Sequence, residues 1–535
     1  MRGLASAARG ASYGHPLVVI GGLWVVCALC ARRRAWPGTS AESGTRLASG
    51  LLWISAASYL GVVVWYIAVY PFFDHIEPSV LAISASLAHG GHIYPRGQER
   101  AYVGLPYGPL LFELHAGIIR AADGGVFAVK LISGAAAVGS LALAALAGRA
   151  LAGQRQGTGL NTIGMMAALC LAFGPMTFWV RAEPLLLLAT ASAMVVGVSS
   201  WRWGPLFLAG ATAAAFALKA TALIAVLPAW VLFTREHGLR PRIVLLATVG
   251  FVATMIGIFA PADVSVQGYG WVLAETARQG VRWRSIAGQS EWAILMFLLA
   301  VPVATSRTTG RAMSRLGPAH AALLAALTVT VFIASKPGAG AYHFIPYIPV
   351  AIVLGRYEHV KSRAILAPRM VALVVAAAIS QPLWIATVAS DRSRARAAEL
   401  VAFTGRYGHP YAVGYGRSSR ASAVRAVPVL AGDPYVIDGP SIADRTLSGA
   451  AAPVYESSPL RRCAIPVWYI AKGERPFDTP NPYAPSRSLF PQDFQDGFGR
   501  DYVRMDSGEY FDVWVCRGSR SGRKGLTQTA PRGRP

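Results

Sequence analysis

Residues 205–234 read PLFLAGATAAAFALKATALIAVLPAWVLFT, and Lys219 is the single charged residue in this stretch. About 20 mostly apolar residues cross the hydrocarbon core of a bilayer, and fewer suffice for a helix packed inside a bundle. The chain is therefore expected to cross a membrane on both sides of Lys219, at 205–218 and at 220–234. A charge between two such runs is costly unless it is paired, reaches the interface or has a function.

Apolar stretches of this kind recur along most of the chain. The 535 residues are 54% hydrophobic and 14% charged, whereas soluble domains are roughly 25% charged. One soluble core cannot bury so many apolar side chains, so lipid must act as a second solvent. Candidate spans lie near 16–31, 49–71, 125–148, 160–179, 184–200, 205–218, 220–234, 243–260, 290–305, 318–335, 342–355 and 370–390. The sequence predicts an all-α polytopic membrane bundle of about 12 transmembrane helices.

The net charge of +24 is distributed in short basic clusters between the apolar runs. If residues 32–34 lie in the cytoplasm, the inner side also receives the basic loops at 149–155, 202, 235–242, 307–315 and 356–363. This is the positive-inside pattern of a multi-pass protein, not the basic face with interleaved aromatics that binds nucleic acid. The other side receives 72–124, 180–183, Lys219, 261–289, 336–341 and everything after 390. We therefore expect the working face to lie outside the cytoplasm.

The first outer loop, 72–124, is too long and too patterned to be a simple connector. Apolar residues recur at spacings of four, three and four from Ile76 to Leu87, which predicts an apolar stripe on a helix near 75–90. A second apolar stretch, after a turn rich in Pro and Gly, predicts a helix near 107–122. Two short helices lying on the membrane surface fit this pattern best.

The character of the chain changes after residue 390. Short segments rich in β-branched and aromatic residues alternate with Gly, Pro, Asp and Asn, which predicts a small extracytoplasmic α/β domain over 391–517. These segments are 411–415, 435–438, 465–470 and 510–515. The composition of 518–535 is typical of a disordered basic tail, and 1–390 form the transmembrane module. Cys463 and Cys516 are the only cysteines of the domain, and the sequence leaves open whether they form a disulfide.

Ionisable side chains cluster on the outer side, where each is costly unless it is paired or functional. Asp74 and Glu77 follow the second span in the sequence FDHIEP, Tyr94 lies in GGHIYP, and Tyr107 begins YGPL. Farther along come Arg181 with Glu183, then Lys219, then Arg278, Arg282 and Arg284, and finally Lys336 with His343. Acids able to take a proton and cations able to hold a phosphate are what group transfer at a hydroxyl requires.

These stretches resemble the GT-C superfamily, membrane glycosyltransferases that take a sugar from a polyprenyl-phosphate carrier. The resemblance rests on an acid just after an early span, a Gly-x-x-Tyr-Pro turn and a Tyr-Gly-Pro-Leu at a helix start. RAEPL at 181–185, KAT at 219–221 and YHFIP at 342–346 are similar to recurrent positions in bacterial members. The resemblance covers 49–360. The common motif pairs two carboxylates closely, whereas Asp74 and Glu77 are three residues apart in this sequence. The resemblance therefore leaves open which of the two is the base and whether a divalent metal takes part.

The resemblance implies transfer of a sugar to a hydroxyl of an extracytoplasmic glycan, lipid or protein at the bacterial inner membrane. The expected catalytic residues are Asp74, the preferred base, and Glu77. The expected donor-phosphate ligands are Lys219, Arg181, Lys336, Arg278 and Arg282, and the expected substrate pocket contains Tyr94, Tyr107, Glu183 and His343. No P-loop, dinucleotide fingerprint or His/Cys metal spacing occurs, so a nucleotide cofactor is not expected.

Most of these residues also have a purely structural explanation. Asp74 can be a helix cap or a simple interface residue. Glu77 can cap a surface helix, because acids are favoured in a first turn. Arg181 and Glu183 can pair with each other, and Lys219 can snorkel to the interface. The arginines near 280 can bind lipid headgroups, Tyr94 and Tyr107 can anchor the interface, and His343 can be structural.

Two other kinds of protein share this architecture. A secondary transporter or lipid-carrier flippase is also polytopic with buried charges, but such proteins tend to show inverted repeats, and none is evident in the sequence. A scaffold for envelope assembly explains the domains but not the acids and cations gathered on one side. Glycosyl transfer therefore accounts for more of the sequence than either alternative.

Overall fold

The computed structural model describes residues 41–69, 71–94, 102–122, 125–151, 158–261, 263–301, 309–359, 385 and 392–518. The predicted span at 16–31, nearly all of the one at 370–390 and the tail after 518 lie outside these residues. The chain forms two compact units. The helical unit comprises 1–69, 130–258 and 280–389, and the mixed unit comprises 70–129, 259–279 and 390–535.

Helices dominate the described chain before residue 390. They are α1 (Ala41–Ala68), α2 (Ile76–Ala88), α3 (Pro109–Ala122), α4 (Val126–Leu151), α5 (Thr158–Phe173), α6 (Ala182–Gly197), α7 (Gly204–Leu218), α8 (Leu227–His237), α9 (Pro241–Phe259), α10 (Val266–Ala277), α11 (Trp283–Ala300), α12 (Thr309–Ala334) and α13 (Ile348–His359). Short 3₁₀ segments lie at Gly174–Thr177, Ala220–Val226 and Ala341–Tyr347. Pro205 and Pro228 stand at the starts of α7 and α8, where proline costs no helical hydrogen bond.

Four helical segments in the described part of the chain are long and apolar enough to cross a membrane. They are Gly50–Ala68, Val126–Leu151, Pro241–Phe259 and Gly317–Ala334. On α9, Leu245, Val249 and Ile256 are exposed, as expected for a helix whose solvent is lipid. Other apolar helices, including α6 and α7, are shorter. The membrane location is thus supported, whereas the count of about 12 spans is not confirmed.

A buried lysine caps the C-terminal end of α1. Lys130, on α4, is fully buried, and its Nζ donates hydrogen bonds to the carbonyl oxygens of Tyr66 (3.2 Å) and Val69 (2.8 Å). The ammonium also lies 4.0 Å from the centroid of the Tyr66 ring. The last carbonyls of a helix lack intrahelical partners and carry partial negative charge, so a cation there stabilises both groups.

In the mixed unit, α2 and α3 lie where the outer-loop pattern predicted helices, but α2 does not lie on a surface. Ten of its thirteen residues are buried, including the polar Ser79 and Ser84. It packs against both α3 and a short helix, α15 (Ala426–Leu430), from the C-terminal region. The prediction of a surface helix was wrong for α2, because a contact from 340 residues farther along cannot be read from local periodicity.

The C-terminal region contains a four-stranded sheet with the order β1-β2-β6-β5. Its elements are α14 (Ser393–Tyr407), β1 (Tyr411–Val413), α15, α16 (Gly439–Leu447), β2 (Val467–Ala471), β3 (Pro480–Asn481), β4 (Ala484–Ser488), α17 (Gln492–Asp501), β5 (Tyr502–Ser507) and β6 (Phe511–Cys516). β1 and β2 are parallel, whereas β6 is antiparallel to both β2 and β5. Alternate residues face two separate cores, as Trp468 and Tyr469 do.

Three of the four predicted strand segments overlap β1, β2 and β6, but 435–438 is not a strand. Instead Asp438 caps α16, where its Oδ2 accepts a hydrogen bond from the Ser441 N–H (2.9 Å). Tyr435 Oη donates to the other carboxylate oxygen (2.7 Å). An Asp before a Gly-Pro pair is a helix start signal, and it overrides the β propensity of the residues before it. Cys463 and Cys516 are joined by a disulfide.

Tyr102, from the first outer loop, is part of the core of the C-terminal region. Its side chain is 1% exposed within the aromatic cluster around Trp468. Its Oη donates to the Val454 carbonyl (2.7 Å), and its own carbonyl accepts from the Asp438 N–H (2.7 Å). Gly104 N–H donates to Ser441 Oγ (3.0 Å). The loop and the C-terminal region are thus one folded body.

Removal of this ring tests that conclusion. Tyr102→Ala is expected to destabilise the mixed unit by roughly 3–5 kcal/mol, the range for deleting a buried aromatic side chain. Tyr102→Phe removes only the hydroxyl and should cost about 0.5–1.5 kcal/mol. Hydrogen exchange at 102–107 and at 439–447 should accelerate together in Tyr102→Ala. Faster exchange in only one of the two segments would show that they fold separately.

Candidate functional site

Arg181, Glu183 and Lys219 meet in the helical unit. Lys219 Nζ donates to Glu183 Oε1 at 3.1 Å, and Arg181 Nε lies 3.7 Å from Glu183 Oε2. Glu183 is fully buried, and the side chains of Arg181 and Lys219 are 6% and 11% exposed. Two of these three charges are positive and one is negative. We call this group, with the two aromatic rings described next, the cation cluster.

Two aromatic rings hold the cations in place. The Arg181 guanidinium carbon lies 4.0 Å from the Trp179 ring centroid and 4.7 Å from that of Tyr342. Lys219 Nζ lies 4.2 Å from the Tyr342 ring centroid. Trp179 Nε1 also donates to Glu183 Oε2 at 2.8 Å. Cation–π contacts stabilise a positive charge without neutralising it, so the rings order the cations and leave them able to attract an anion.

Helix ends bring these side chains together. Arg181 is the N-cap of α6, and Glu183 lies in its first turn, where the helix dipole favours a carboxylate. Lys219 is the C-cap of α7, where the dipole favours a cation. The backbone of Lys219 is extended between α7 and the following 3₁₀ segment. The break between two apolar runs, expected at Lys219, is therefore present.

A small cavity adjoins Lys219 in the helical unit. Its walls are mostly apolar and are formed by Leu186, Lys219, Thr221, Ala222, Ala225, Thr330, Ile333, Tyr342, His343, Pro346 and Tyr347. The Thr330 and Tyr347 hydroxyls share a hydrogen bond of 2.7 Å. His343 lines this cavity and stacks on Tyr342, with 4.8 Å between ring centroids. The cavity thus combines apolar walls with one cationic side chain.

The other predicted phosphate ligands are less closely grouped. The backbone segments that carry Arg282 and Lys336 are close in space, because the Arg282 N–H donates to the Ser335 carbonyl (2.9 Å). Lys336 is half-buried, and its burial lowers the pKa of its ammonium. The Arg282 side chain is exposed. Arg278 is an exposed residue of the mixed unit, at the C-cap of α10.

Asp74 and Glu77 form a tight turn before α2 in the mixed unit. Asp74 Oδ1 accepts from the Ile76 N–H (2.8 Å) and lies 3.0 Å from His75 Nδ1. Glu77 is fully buried, and its Oε1 accepts from the N–H groups of Phe73 (2.8 Å) and Asp74 (3.0 Å). The Asp74 side chain is 20% exposed. Glu77 therefore holds the backbone on which Asp74 stands.

Tyr94 and Tyr107 join the two turn motifs of the first outer loop. Tyr94 Oη donates a hydrogen bond to the Tyr107 carbonyl. The Tyr94 backbone is left-handed, with φ at 56°, a conformation that costs a non-glycine residue energy and is common at functional sites. A Cβ on Gly268 would stand 2.3 Å from the Tyr94 carbonyl oxygen. Both tyrosines are buried, so neither side chain is an exposed interfacial anchor.

Glu113, on α3, was not identified from the sequence. Burial raises the pKa of its carboxyl to about 7, although Arg120 opposes the shift. Its Oε1 is buried without a hydrogen-bond partner among the described residues. A single Glu in an amphipathic helix carries no sequence signal for this, because the desolvation comes from residues packed over it.

The raised pKa predicts a pH-dependent effect of Glu113→Gln. A carboxyl whose pKa rises on folding, from 4.5 to about 7, stabilises the fold below the unfolded value, and this contribution is lost as the pH rises through about 7. Glu113→Gln should therefore raise the melting temperature at pH 8 relative to wild type and change it little at pH 4.5. Thermal unfolding at both pH values measures this. An equal shift at the two values would contradict a buried titrating carboxyl.

No group of three or more His, Cys, Asp or Glu side chains suited to hold a metal ion occurs among the described residues. Asp74 and Glu77 are neighbours, but both accept backbone hydrogen bonds.

Comparison with known proteins supports the fold. No protein-family model matches the sequence, and no curated protein matches it. Among solved structures, ArnT from Cupriavidus metallidurans, crystallised bound to undecaprenyl phosphate, is similar with a TM-score of 0.53 and 12% sequence identity. The match covers 87% of this chain and 98% of ArnT. The chain therefore has an ArnT-like fold, in agreement with the GT-C resemblance of its sequence.

Proposed function

We propose that the protein is a membrane glycosyltransferase that moves a sugar from a polyprenyl-phosphate donor to a hydroxyl group outside the cytoplasm. The observation that carries the proposal is the cation cluster beside an apolar cavity, in a chain with an ArnT-like fold. A prenyl phosphate is an apolar chain that ends in an anion, and the cavity offers apolar walls beside Lys219. The undecaprenyl phosphate bound to ArnT belongs to the same chemical class.

Lys219 and Arg181 are proposed to hold the phosphate of the donor. As the bond between sugar and phosphate breaks, the leaving phosphate gains negative charge. Cations already fixed in position stabilise that charge without having to reorganise. Arg181 is held over Trp179 and Tyr342, and Lys219 is held by Glu183 and Tyr342. Glu183 then acts as a positioning residue, while Lys336 and Arg282 are secondary candidates for contact with the phosphate.

Asp74 is proposed to be the base that takes the proton of the acceptor hydroxyl. It is a carboxylate with partial exposure, and its hydrogen bond from the Ile76 N–H fixes it in the turn before α2. Attack on the face opposite the leaving phosphate would invert the anomeric carbon, by the geometric logic of inverting glycosidases. Glu77 is proposed to position Asp74, because it accepts hydrogen bonds from the backbone around it.

A reconstituted assay tests the proposal. Purified protein in liposomes is given a panel of polyprenyl-phosphate-linked hexoses and pentoses, each radiolabelled in the sugar, with extracted envelope glycans, lipids and proteins as acceptors. Transfer predicts labelled acceptor and free polyprenyl phosphate in equal amounts. If labelled donor instead crosses the bilayer with its sugar still attached, the protein is a flippase and the proposal is wrong.

The proposed location is the bacterial inner membrane, with the C-terminal region outside the cytoplasm. Support comes from the basic loops at 235–242 and 356–363 and from the bond between Cys463 and Cys516. Disulfides persist in oxidising compartments and are rare in the cytosol.

Loss of that disulfide should weaken the C-terminal region. The two cysteines are 53 residues apart, and closing a loop of that length stabilises a fold by roughly 4 kcal/mol in the chain-entropy model. Cys463→Ser with Cys516→Ser should therefore lower the unfolding temperature of the domain. In cells, a maleimide should label these thiols only after reduction. Labelling of both thiols without reduction would contradict an oxidising location.

A further inference from the structure

A second cleft lies wholly within the mixed unit, between α10, α16 and the 103–106 segment. It is lined by Val103, Gly104, Pro106, Trp271, Val272, Glu275, Thr276, Gln279, Asp444, Arg445 and Ser448. We call it the α10–α16 cleft. Nothing proposed above for donor binding or proton transfer uses these side chains.

The polar groups of the α10–α16 cleft are held in place by contacts with one another and with Tyr483, which lies outside the lining. Arg445 lies 3.7 Å from Glu275, and its guanidinium carbon lies 4.7 Å from the Trp271 ring centroid. Gln279 Nε2 donates to the Asp444 carbonyl at 3.1 Å. Tyr483 Oη donates to Asp444 Oδ1 at 2.8 Å. Ordered side chains lose little entropy when a ligand binds.

The chemistry of this lining matches a sugar ring. A pyranose has an apolar face of C–H groups and a rim of hydroxyls that both donate and accept hydrogen bonds. Val103, Pro106 and Val272 contribute apolar side chains to the lining. Glu275, Asp444, Gln279 and Arg445 contribute planar carboxylate, amide and guanidinium groups, which accept or donate hydrogen bonds. Pockets that combine apolar walls with a few fixed polar groups are typical small-ligand sites. Two acids and one arginine disfavour an anionic ligand.

We infer that the α10–α16 cleft binds one saccharide unit of the acceptor, which makes the acceptor a glycan or glycolipid. The inference rests on the proposed function, because only a transfer reaction has an acceptor. Sugar binding by the cleft can be tested without turnover. It also gives the C-terminal region a substrate-binding role beyond its support of the first outer loop.

Saturation-transfer NMR on the full-length protein in nanodiscs tests the inference. The probes are neutral methyl glycosides of hexoses, pentoses and N-acetylated amino sugars, each at millimolar concentration. Ser448→Trp should fill the cleft without altering a charge and reduce the signal of the bound glycoside at least about tenfold. Ala451→Trp places the same ring on an exposed residue outside the lining and should leave the signal unchanged.

Gln279→Met is a second variant that keeps the side-chain length and removes the amide, and it should weaken the same signal. Asp74→Asn should retain sugar binding, because the binding does not depend on catalysis. Absence of any glycoside signal in wild type, or an unchanged signal in Ser448→Trp, would overturn the inference. If the cleft binds sugar but no donor supports transfer, the proposed function is wrong and the inference that the cleft binds a saccharide is supported. If transfer occurs and Ser448→Trp leaves sugar binding intact, only the cleft proposal fails.

Discussion

Asp74→Asn is expected to reduce sugar transfer by roughly 10²–10⁴-fold, the usual contribution of a general base. The amide oxygen of asparagine can still accept the Ile76 N–H, so the turn before α2 should be kept. Insertion and thermal stability should therefore match wild type. The measurement is the initial rate in the liposome assay at equal protein incorporation. Wild-type activity in this variant would remove Asp74 as the base.

Glu77→Gln is the matched control for Asp74→Asn. Its carbonyl oxygen can replace Glu77 Oε1 as acceptor for the Phe73 and Asp74 N–H groups. If Glu77 only positions Asp74, this variant keeps most of the activity. If Glu77→Gln loses as much activity as Asp74→Asn, Glu77 takes part in proton transfer, and the two carboxylates act as a pair.

Lys219→Met is expected to abolish transfer and also to destabilise the helical unit. It leaves the fully buried Glu183 without its ammonium partner at 3.1 Å, and breaking a buried ion pair in this way costs roughly 3–5 kcal/mol. Arg181, at 3.7 Å from Glu183, offsets part of that cost. Loss of activity in Lys219→Met alone therefore cannot separate a structural lysine from a phosphate ligand.

The double variant Lys219→Met with Glu183→Gln separates these two roles. It removes both charges, and the amide of glutamine can still accept from Trp179 Nε1. Stability should recover in part, because no unpaired carboxylate remains, although Arg181 loses its carboxylate partner. Transfer should stay at least about 100-fold reduced, because a cation at the leaving phosphate is missing. Thermal unfolding and initial rates are measured on the same preparation. Recovery of activity together with stability would make Lys219 structural.

The three charged residues of the cation cluster were predictable from the sequence because they stand at the ends of apolar runs, whereas Trp179 was not identified. Arg181, Glu183 and Lys219 are charged residues beside apolar runs, where a membrane protein tolerates few charges. The apolar sequence around them therefore indicates that these charges are paired or functional. Their mutual distances were not predictable. Tyr342 contacts both cations, yet it lies more than 100 residues from either, and no local pattern relates them. The catalytic roles assigned to these residues stay predictions.

The fold was predictable for elements whose structure is determined by their local sequence alone. α3 and strands β1, β2 and β6 follow local periodicity and turn residues. Features that depend on distant contacts were not predictable, such as the burial of α2 under α15 and the insertion of Tyr102 into the C-terminal core. Lys130 lies near the start of an apolar run, and only the positions of the Tyr66 and Val69 carbonyls show that it caps the C-terminal end of α1.

The most direct test of the proposed function is an experimental structure of the full-length protein in nanodiscs with undecaprenyl phosphate. We predict that the lipid phosphate lies within about 3 Å of Lys219 Nζ or the Arg181 guanidinium, with the prenyl chain following the apolar walls lined by Leu186 and Ile333. A phosphate bound away from both cations, with the ion pair between Lys219 and Glu183 intact and the cavity empty, would contradict the proposal.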